Sequence, residues 1–300
     1  MKRIWKAELL LLMVTMIWGG TFPIIKSVLE DTPPFLFVVY RFGIALLISA
    51  IIWRKFLKGF AKVDIVQGTI LGLLYGIGFL LQAFGLTLTS ASKSGFVTGS
   101  TVIFVPFAYW ILERKKISPW HIAGVIIVLL GLWIFTNPQM DNINYGDVLT
   151  LISAMFWAFY IPYLDKIMTD TGDANAKSAR LIMMQFLVTG VIGVFAHLLF
   201  ENGTFKSPFS LDLVGALFYT AVFATVIATG IQTRYQHYTT PVKAALIFSL
   251  EPVFAAILAV IFIDDPVGAR ELWGGGIVIA GVLIAELGGT IFKNTALKTT

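Results

Sequence analysis

The sequence contains no cysteine. Disulfides, thiolate nucleophiles and zinc–thiolate sites are therefore excluded. Histidine is scarce as well. His121, His197 and His237 lie near the ends of different apolar segments, and no H-x-x-x-H spacing, paired-carboxylate or nucleophile arrangement accompanies them. Charged residues make up 13% of the chain, where a soluble domain carries roughly 25%. The glycines at 274–276 open an apolar segment and follow no strand, so they form no phosphate-cradling loop. Neither a metal, a bound cofactor nor an ATP-driven step is expected.

What fills the chain instead is apolar: 57% of its 300 residues are hydrophobic and the mean hydropathy is +0.84. Ten apolar segments can be marked, at about 8–27, 34–53, 65–86, 94–113, 119–135, 147–165, 180–200, 211–231, 242–263 and 272–291. Each is long enough to cross the ~30 Å hydrocarbon layer of a bilayer as a helix. The connections are short and carry turn residues, as in Asp31-Thr-Pro-Pro34, Asn137-Pro138, Thr171-Gly-Asp173, Ser207-Pro208 and Asp264-Asp-Pro266. The pattern predicts an all-α membrane protein of ten transmembrane helices, with no soluble domain between them. The start, Met1-Lys-Arg-Ile-Trp-Lys6, is like a signal n-region. The apolar run behind it is too long for an h-region and lacks a small-residue cleavage site, so an uncleaved first span is expected.

The net charge of +5 and pI near 9.3 raise the question of nucleic acid. Location answers it. With the N-terminus inside, 17 of the 22 Lys and Arg residues fall on the cytoplasmic side and five on the outer side. This asymmetry predicts a multi-pass protein of the cell (inner) membrane with both termini cytoplasmic, and no nucleic-acid partner.

The chain also repeats itself. At a shift of 139, Glu8 meets Asp147, Trp18 meets Trp157, Pro23 meets Pro162, Thr32 meets Thr171 and Arg41 meets Arg180. At a shift of 150, Gln82 meets Gln232, Lys93 meets Lys243, Gly124 meets Gly274 and Gly131 meets Gly281. Two repeats, 1–138 and 139–300, are expected, each with five spans. Five is odd, so the second enters the membrane from the other side. Inverted repeats of this kind typify alternating-access transporters with a site near midplane between the halves.

Within the ninth segment, Glu251-Pro252 interrupts an apolar run. A carboxylate at mid-depth costs at least about 2.5–3.5 kcal/mol to insert, so it should face the protein interior or a wet cavity. Three readings stay open for Glu251: a proton carrier, a partner for a cationic substrate, or a structural carboxyl beside the Pro252 break. Its register mate is Thr101. Trp18 and Trp157 sit near span centres, away from the interface where tryptophan usually anchors. They either line a cavity or pack against a backbone acceptor. Pro23, Pro162 and Pro252 each free a carbonyl and permit a bend, as a gating helix needs. Gly19, Gly20, Gly76 and Gly78 let backbones approach closely. Near the midplane lie Phe22, Tyr75, Phe79, Phe104, Tyr160 and Thr225. Aromatics around a carboxylate suit a primary or quaternary amine by cation–π contact, or an aromatic amino acid by stacking. Lys93 and Lys243 begin spans 4 and 9 at opposite faces. They attract an anion, close alternate gates or snorkel to headgroups, and the same alternatives hold for Arg41 and Arg180, a turn or two inside spans 2 and 7. Glu286 lies deep in span 10 without an evident role.

The segments Ile17-Trp-Gly-Gly-Thr-Phe-Pro23, Lys26, Asp31-Thr-Pro-Pro34 and Arg41-Phe42, then Thr89-Ser-Ala-Ser-Lys-Ser-Gly95 and Ser249-Leu-Glu-Pro252, resemble EamA-type members of the drug/metabolite transporter superfamily. The likeness spans nearly the whole chain. It implies two inverted five-helix halves around a central cavity lined mainly by spans 1, 3, 4, 6, 8 and 9, with spans 5 and 10 peripheral. It further implies secondary active transport of small polar metabolites, amino acids first, by a monomer or homodimer in the lipid bilayer. An organic amine such as choline is the alternative substrate, and a membrane-embedded enzyme or lipid flippase the alternative class. Trp157-Ala-Phe-Tyr160 stands where the first half has Trp18-Gly-Gly-Thr21, so the cavity walls should differ between the halves.

Overall fold

The computed structural model describes residues 2–56, 58–137, 143–169, 171–201, 203–205, 210–263 and 268–296, with the side chains of Lys2, Ser92, 259–263 and 286–296 left out of the description. The turns expected at 138, 207–208 and 264–266, and the side chain of Glu286, lie outside the described residues.

All regular structure among the described residues is helical. Span 1 is split into α1 (Lys2–Gly19) and α2 (Thr21–Val28). Spans 2 and 3 are α3 (Pro34–Ile52) and α4 (Lys62–Leu88). Span 4 is split into α5 (Ala91–Gly99) and α6 (Thr101–Glu113); span 5 is α7 (Pro119–Thr136). Spans 6 and 7 are α8 (Tyr145–Thr169) and α9 (Ala174–Phe200). Span 8 runs through α10 (Leu211–Phe218), a π-helical stretch (Tyr219–Ile227) and α11 (Ala228–Tyr235). Span 9 is α12 (Pro241–Phe248) and α13 (Glu251–Ile263), and span 10 is α14 (Ala269–Ala296). Among the described residues the first nine spans are each long and apolar enough to cross a membrane. Large apolar side chains such as Leu47, Ile51, Leu130 and Leu199 stay exposed around the bundle, which suits a lipid-facing belt.

The repeat is visible in local structure. Ser90 caps α5 by accepting a hydrogen bond from Lys93 N, and Thr240, 150 residues later, caps α12 by accepting from Lys243 N. The breaks at Ser100 and at Ser249–Leu250 are also related by that shift, so Thr101 and Glu251 open equivalent helices. Neither break needs a proline at its centre. Pro252 is the second residue of α13 and Pro23 the third of α2, places where a backbone N–H has no helical partner anyway. Pro162 lies buried inside the uninterrupted α8. Of the three bends expected at proline, two are thus chain breaks just ahead of it, and the third is absorbed within a helix.

The halves pack into each other. α4 lies against α8 and α9, α6 against α8 and α12, and α1 against α11 and α13. Spans 5 and 10 pair off along a glycine seam. A Cβ added at Gly131 would come within 2.6 Å of the Val278 nitrogen, so the α7 and α14 backbones touch. Below, the face from which α1 starts is the N-terminal face, and the other the far face.

Candidate functional site

Six spans of the two halves, joined by Arg41 of span 2, surround a central cavity of about 780 Å³ including its mouth. Among the described residues spans 5 and 10 contribute nothing to it. Its walls are mostly aromatic and aliphatic, with few polar groups, the usual make-up of a small-molecule site.

Trp18 and Trp157 both line the cavity. Their indoles differ. Trp18 Nε1 donates to the Ala224 carbonyl at 2.9 Å, while Trp157 Nε1 has no partner among the described residues. The Trp157 ring rests where a side chain on Gly78 would have to be: a Cβ there would lie 2.5 Å from Nε1. Gly78 is thus required for the indole to reach its place. The Trp18 acceptor belongs to the π-helical stretch of span 8, whose wide turn also sends Thr225 Oγ1 to the Thr220 carbonyl at 2.7 Å.

Phe22, Tyr75, Phe79, Thr101 and Tyr160 line the cavity too. Phe104 does not; it packs against the core beside it, because Thr101 and Val102 are the residues of α6 that turn inward. Tyr75, Phe79 and Tyr160 form a contiguous aromatic wall, with Tyr75 centred 4.7 Å from Phe79 and 5.1 Å from Tyr160. The two tyrosine hydroxyls are fixed by α11 and α9. Tyr75 Oη lies 2.7 Å from Thr229 Oγ1, and Tyr160 Oη donates to Gln185 Oε1 at 3.0 Å. Gln236 Nε2 adds a bond to the Ile161 carbonyl at 2.7 Å.

Glu251 begins α13 at the cavity wall, and its carboxyl makes no hydrogen bond or ion pair with protein among the described residues. Its carboxyl is therefore available to a proton or a ligand. Of the readings open for Arg41, the structure excludes one. It does not snorkel; it is 2% exposed and lines the cavity, with Nε donating to Thr225 Oγ1 at 2.8 Å. α3 turns that position toward α4 and span 8, which a depth estimate along the helix does not reveal. Gln82 and Gln232, matched only as a repeat pair in the sequence, also line the cavity. An amide inside each of two related apolar spans was the available signal.

At the two faces the repeat builds two similar clusters. On the far face Lys93 of α5 pairs with Asp147 of α8 at 2.6 Å, and Thr89 Oγ1 donates to the same carboxylate at 2.6 Å. On the N-terminal face Lys243 of α12 meets Glu8 of α1 at 3.5 Å, and Thr239 Oγ1 donates to Glu8 at 3.2 Å. Each cluster ties one half to the other. Lys26 adds a tie within the first half on the far face, donating to the Leu86 and Thr89 carbonyls at 2.7 and 3.0 Å. No group of three or more His, Asp and Glu side chains that would hold a metal occurs among the described residues.

Two inverted five-helix halves around a mostly apolar central chamber with a few placed polar groups define a multi-pass membrane transporter rather than an enzyme. The sequence profile of the EamA-like transporter family matches residues 5–137 and 144–287, and the chain belongs to that family. An uncharacterized transporter of Archaeoglobus fulgidus is 30% identical over 284 residues, covering 94% of this chain and 86% of that one. A protein of Salmonella typhimurium named a probable amino-acid metabolite efflux pump is 23% identical over 301 residues, covering 94% and 95%. A protein of known crystal structure superposes with a TM-score of 0.75 at 17% identity, covering 94% and 96%, a likeness of fold alone. A small-molecule substrate and the lipid bilayer are thus its partners.

Proposed function

We propose that the chain is a secondary active transporter that exports amino acids or related small polar metabolites by alternating access, with Glu251 as the proton-coupling group. The observation that carries the reading is the pair of repeat-related clusters, Lys93–Asp147 and Lys243–Glu8, at opposite faces of one central cavity. Opening one face requires breaking one cluster while the other holds, and the inverted repeat makes the two states near mirror images. The division between the halves falls at residues 138–139. The basic asymmetry of the sequence supports cytoplasmic termini in a cell membrane, so the N-terminal face is the inner one. The name of the Salmonella typhimurium relative supports amino-acid metabolites. A choline-type cation is disfavoured by the second charged group in the cavity, because Arg41 repels it.

The test is counterflow in proteoliposomes of the purified protein, across a panel of amino acids, organic acids, amines, sugars and nucleotides. Saturable exchange of amino acids, stimulated by a proton gradient in the wild type and insensitive to it in Glu251→Gln, is the expected result. Absence of exchange for every member of the panel overturns the transporter reading. Exchange that responds to the gradient equally in Glu251→Gln removes Glu251 from coupling.

A further inference from the structure

We propose that Arg41 is the group that binds the substrate, and that what it binds is a carboxylate. The inference rests on the central cavity being the transport site, and it adds which end of the substrate is read and by which residue.

The guanidinium is buried deep in the bundle, yet only one edge of it is used. Nε donates to Thr225 Oγ1, and no other hydrogen bond of the Arg41 side chain is formed among the described residues. No carboxylate of the described residues lies within ion-pair distance of it. Other half-buried cations are served by protein oxygens: Lys26 by backbone carbonyls, Lys177 and Arg180 by Asp64. Arg41 instead lines the cavity with both Nη groups unclaimed by protein among the described residues. A buried charge without a partner costs several kcal/mol, so the arrangement is stable only if an anion or solvent completes it.

The fork is also held in a fixed orientation. The Phe79 ring centroid lies 4.6 Å from Cζ and the Phe42 centroid 5.5 Å, and the two centroids are 5.2 Å apart, so both rings pack against one side of the guanidinium. Thr225 is fixed in turn, because its hydroxyl proton goes to the Thr220 carbonyl and only its lone pair faces Arg41. A planar, oriented pair of N–H donors matches the two oxygens of a carboxylate, a fit that lysine cannot reproduce. Around that end of the cavity stand Thr21, Phe22 and Gln82. These leave room for an apolar body with a polar substituent. Glu251, unpaired at another part of the same wall, takes an ammonium where the substrate has one. The class is therefore carboxylate-bearing metabolites with an apolar or aromatic portion, amino acids included and simple amines excluded.

Three probes that share a ring separate the two ends: L-phenylalanine, phenylacetate and phenethylamine, each tested for its shift of the melting temperature of the purified protein. Ligands that bind only the folded state raise it. Phenylalanine and phenylacetate should raise it and phenethylamine should not. In Arg41→Gln the shift from both acids should disappear, while the ligand-free protein melts no lower than the wild type because an unpaired buried charge has gone. Arg41→Lys should keep the charge and lose at least tenfold in affinity for the acids, which protects the test should the glutamine variant fail to fold. A shift from phenethylamine alone, undiminished acid binding in Arg41→Gln, or no shift from any acid in a wider set of amino and organic acids overturns the proposal. Counterflow of a solute without a carboxylate, unchanged in Arg41→Gln, refutes Arg41 as anchor and leaves the transporter reading intact. No counterflow of any solute in the wild type refutes the transporter reading itself.

Discussion

Arg41 and Arg180 occupy equivalent places in the two halves, 139 residues apart, and have opposite surroundings. Arg180 donates to Asp64 at 3.1 Å, a carboxylate that also accepts from Lys177 at 3.0 Å and from the Ala61 nitrogen. It fastens α9 to α4 at the N-terminal face. Among the described residues Arg41 has no carboxylate partner, and it lines the cavity. The difference lies in Asp64, which has no acidic counterpart: Val214 stands at the position 150 residues on. One half thus spends its arginine on architecture and the other leaves it open to a ligand. The same inequality appears in the two face clusters, tight at Lys93–Asp147 and loose at Lys243–Glu8. A duplicated fold supplies two copies of each part, and loss of a partner in one copy is enough to turn a brace into a binding group.

The contrast can be broken most forcefully at Asp64. Asp64→Asn should strip Arg180 and Lys177 of their anion and destabilise the fold by about 3 kcal/mol, read as a large drop in melting temperature. Equal stability of Asp64→Asn and wild type would mean that Arg180 is no brace. The face clusters come next. A single cysteine introduced as Thr98→Cys reports on far-face access, and the native chain contributes no background thiol. Asp147→Asn should raise its labelling rate about tenfold, corresponding to ~1.4 kcal/mol. Glu8→Gln, which releases only the looser cluster, should leave that rate unchanged or lower it. Equal and parallel effects of the two substitutions would contradict alternate opening. The smallest effect separates the tryptophans. Trp18→Phe loses a hydrogen bond to Ala224 and should cost about 1 kcal/mol of stability, whereas Trp157→Phe should cost none and change only ligand affinity.

Much of this architecture was legible in the residue order. Apolar length gave the ten crossings to within a few residues at most ends. Two shifts gave the inverted repeat, and the family likeness named the six spans that line the cavity. The rest depended on facts that periodicity does not hold. Arg41 sits near the far end of span 2, where depth alone suggests a side chain reaching for headgroups; only its rotation about α3 shows otherwise. Phe104 has the right depth and the wrong rotation. The clusters Lys93–Asp147 and Lys243–Glu8 were hidden although all four residues appeared as repeat matches. The lysines obey the shift of 150 and the acids the shift of 139, and each pair is made across the halves. The break at Ser100 and the π-helical stretch at Tyr219–Ile227 carry no proline to announce them.

The glycine seam of α7 and α14 has a practical side. Two backbones in contact leave no slack for sliding, and no described residue of either helix borders the chamber. Labels fixed on those two rods should keep their mutual distance through a whole turnover. They supply an internal ruler against which the travel of every other helix can be measured.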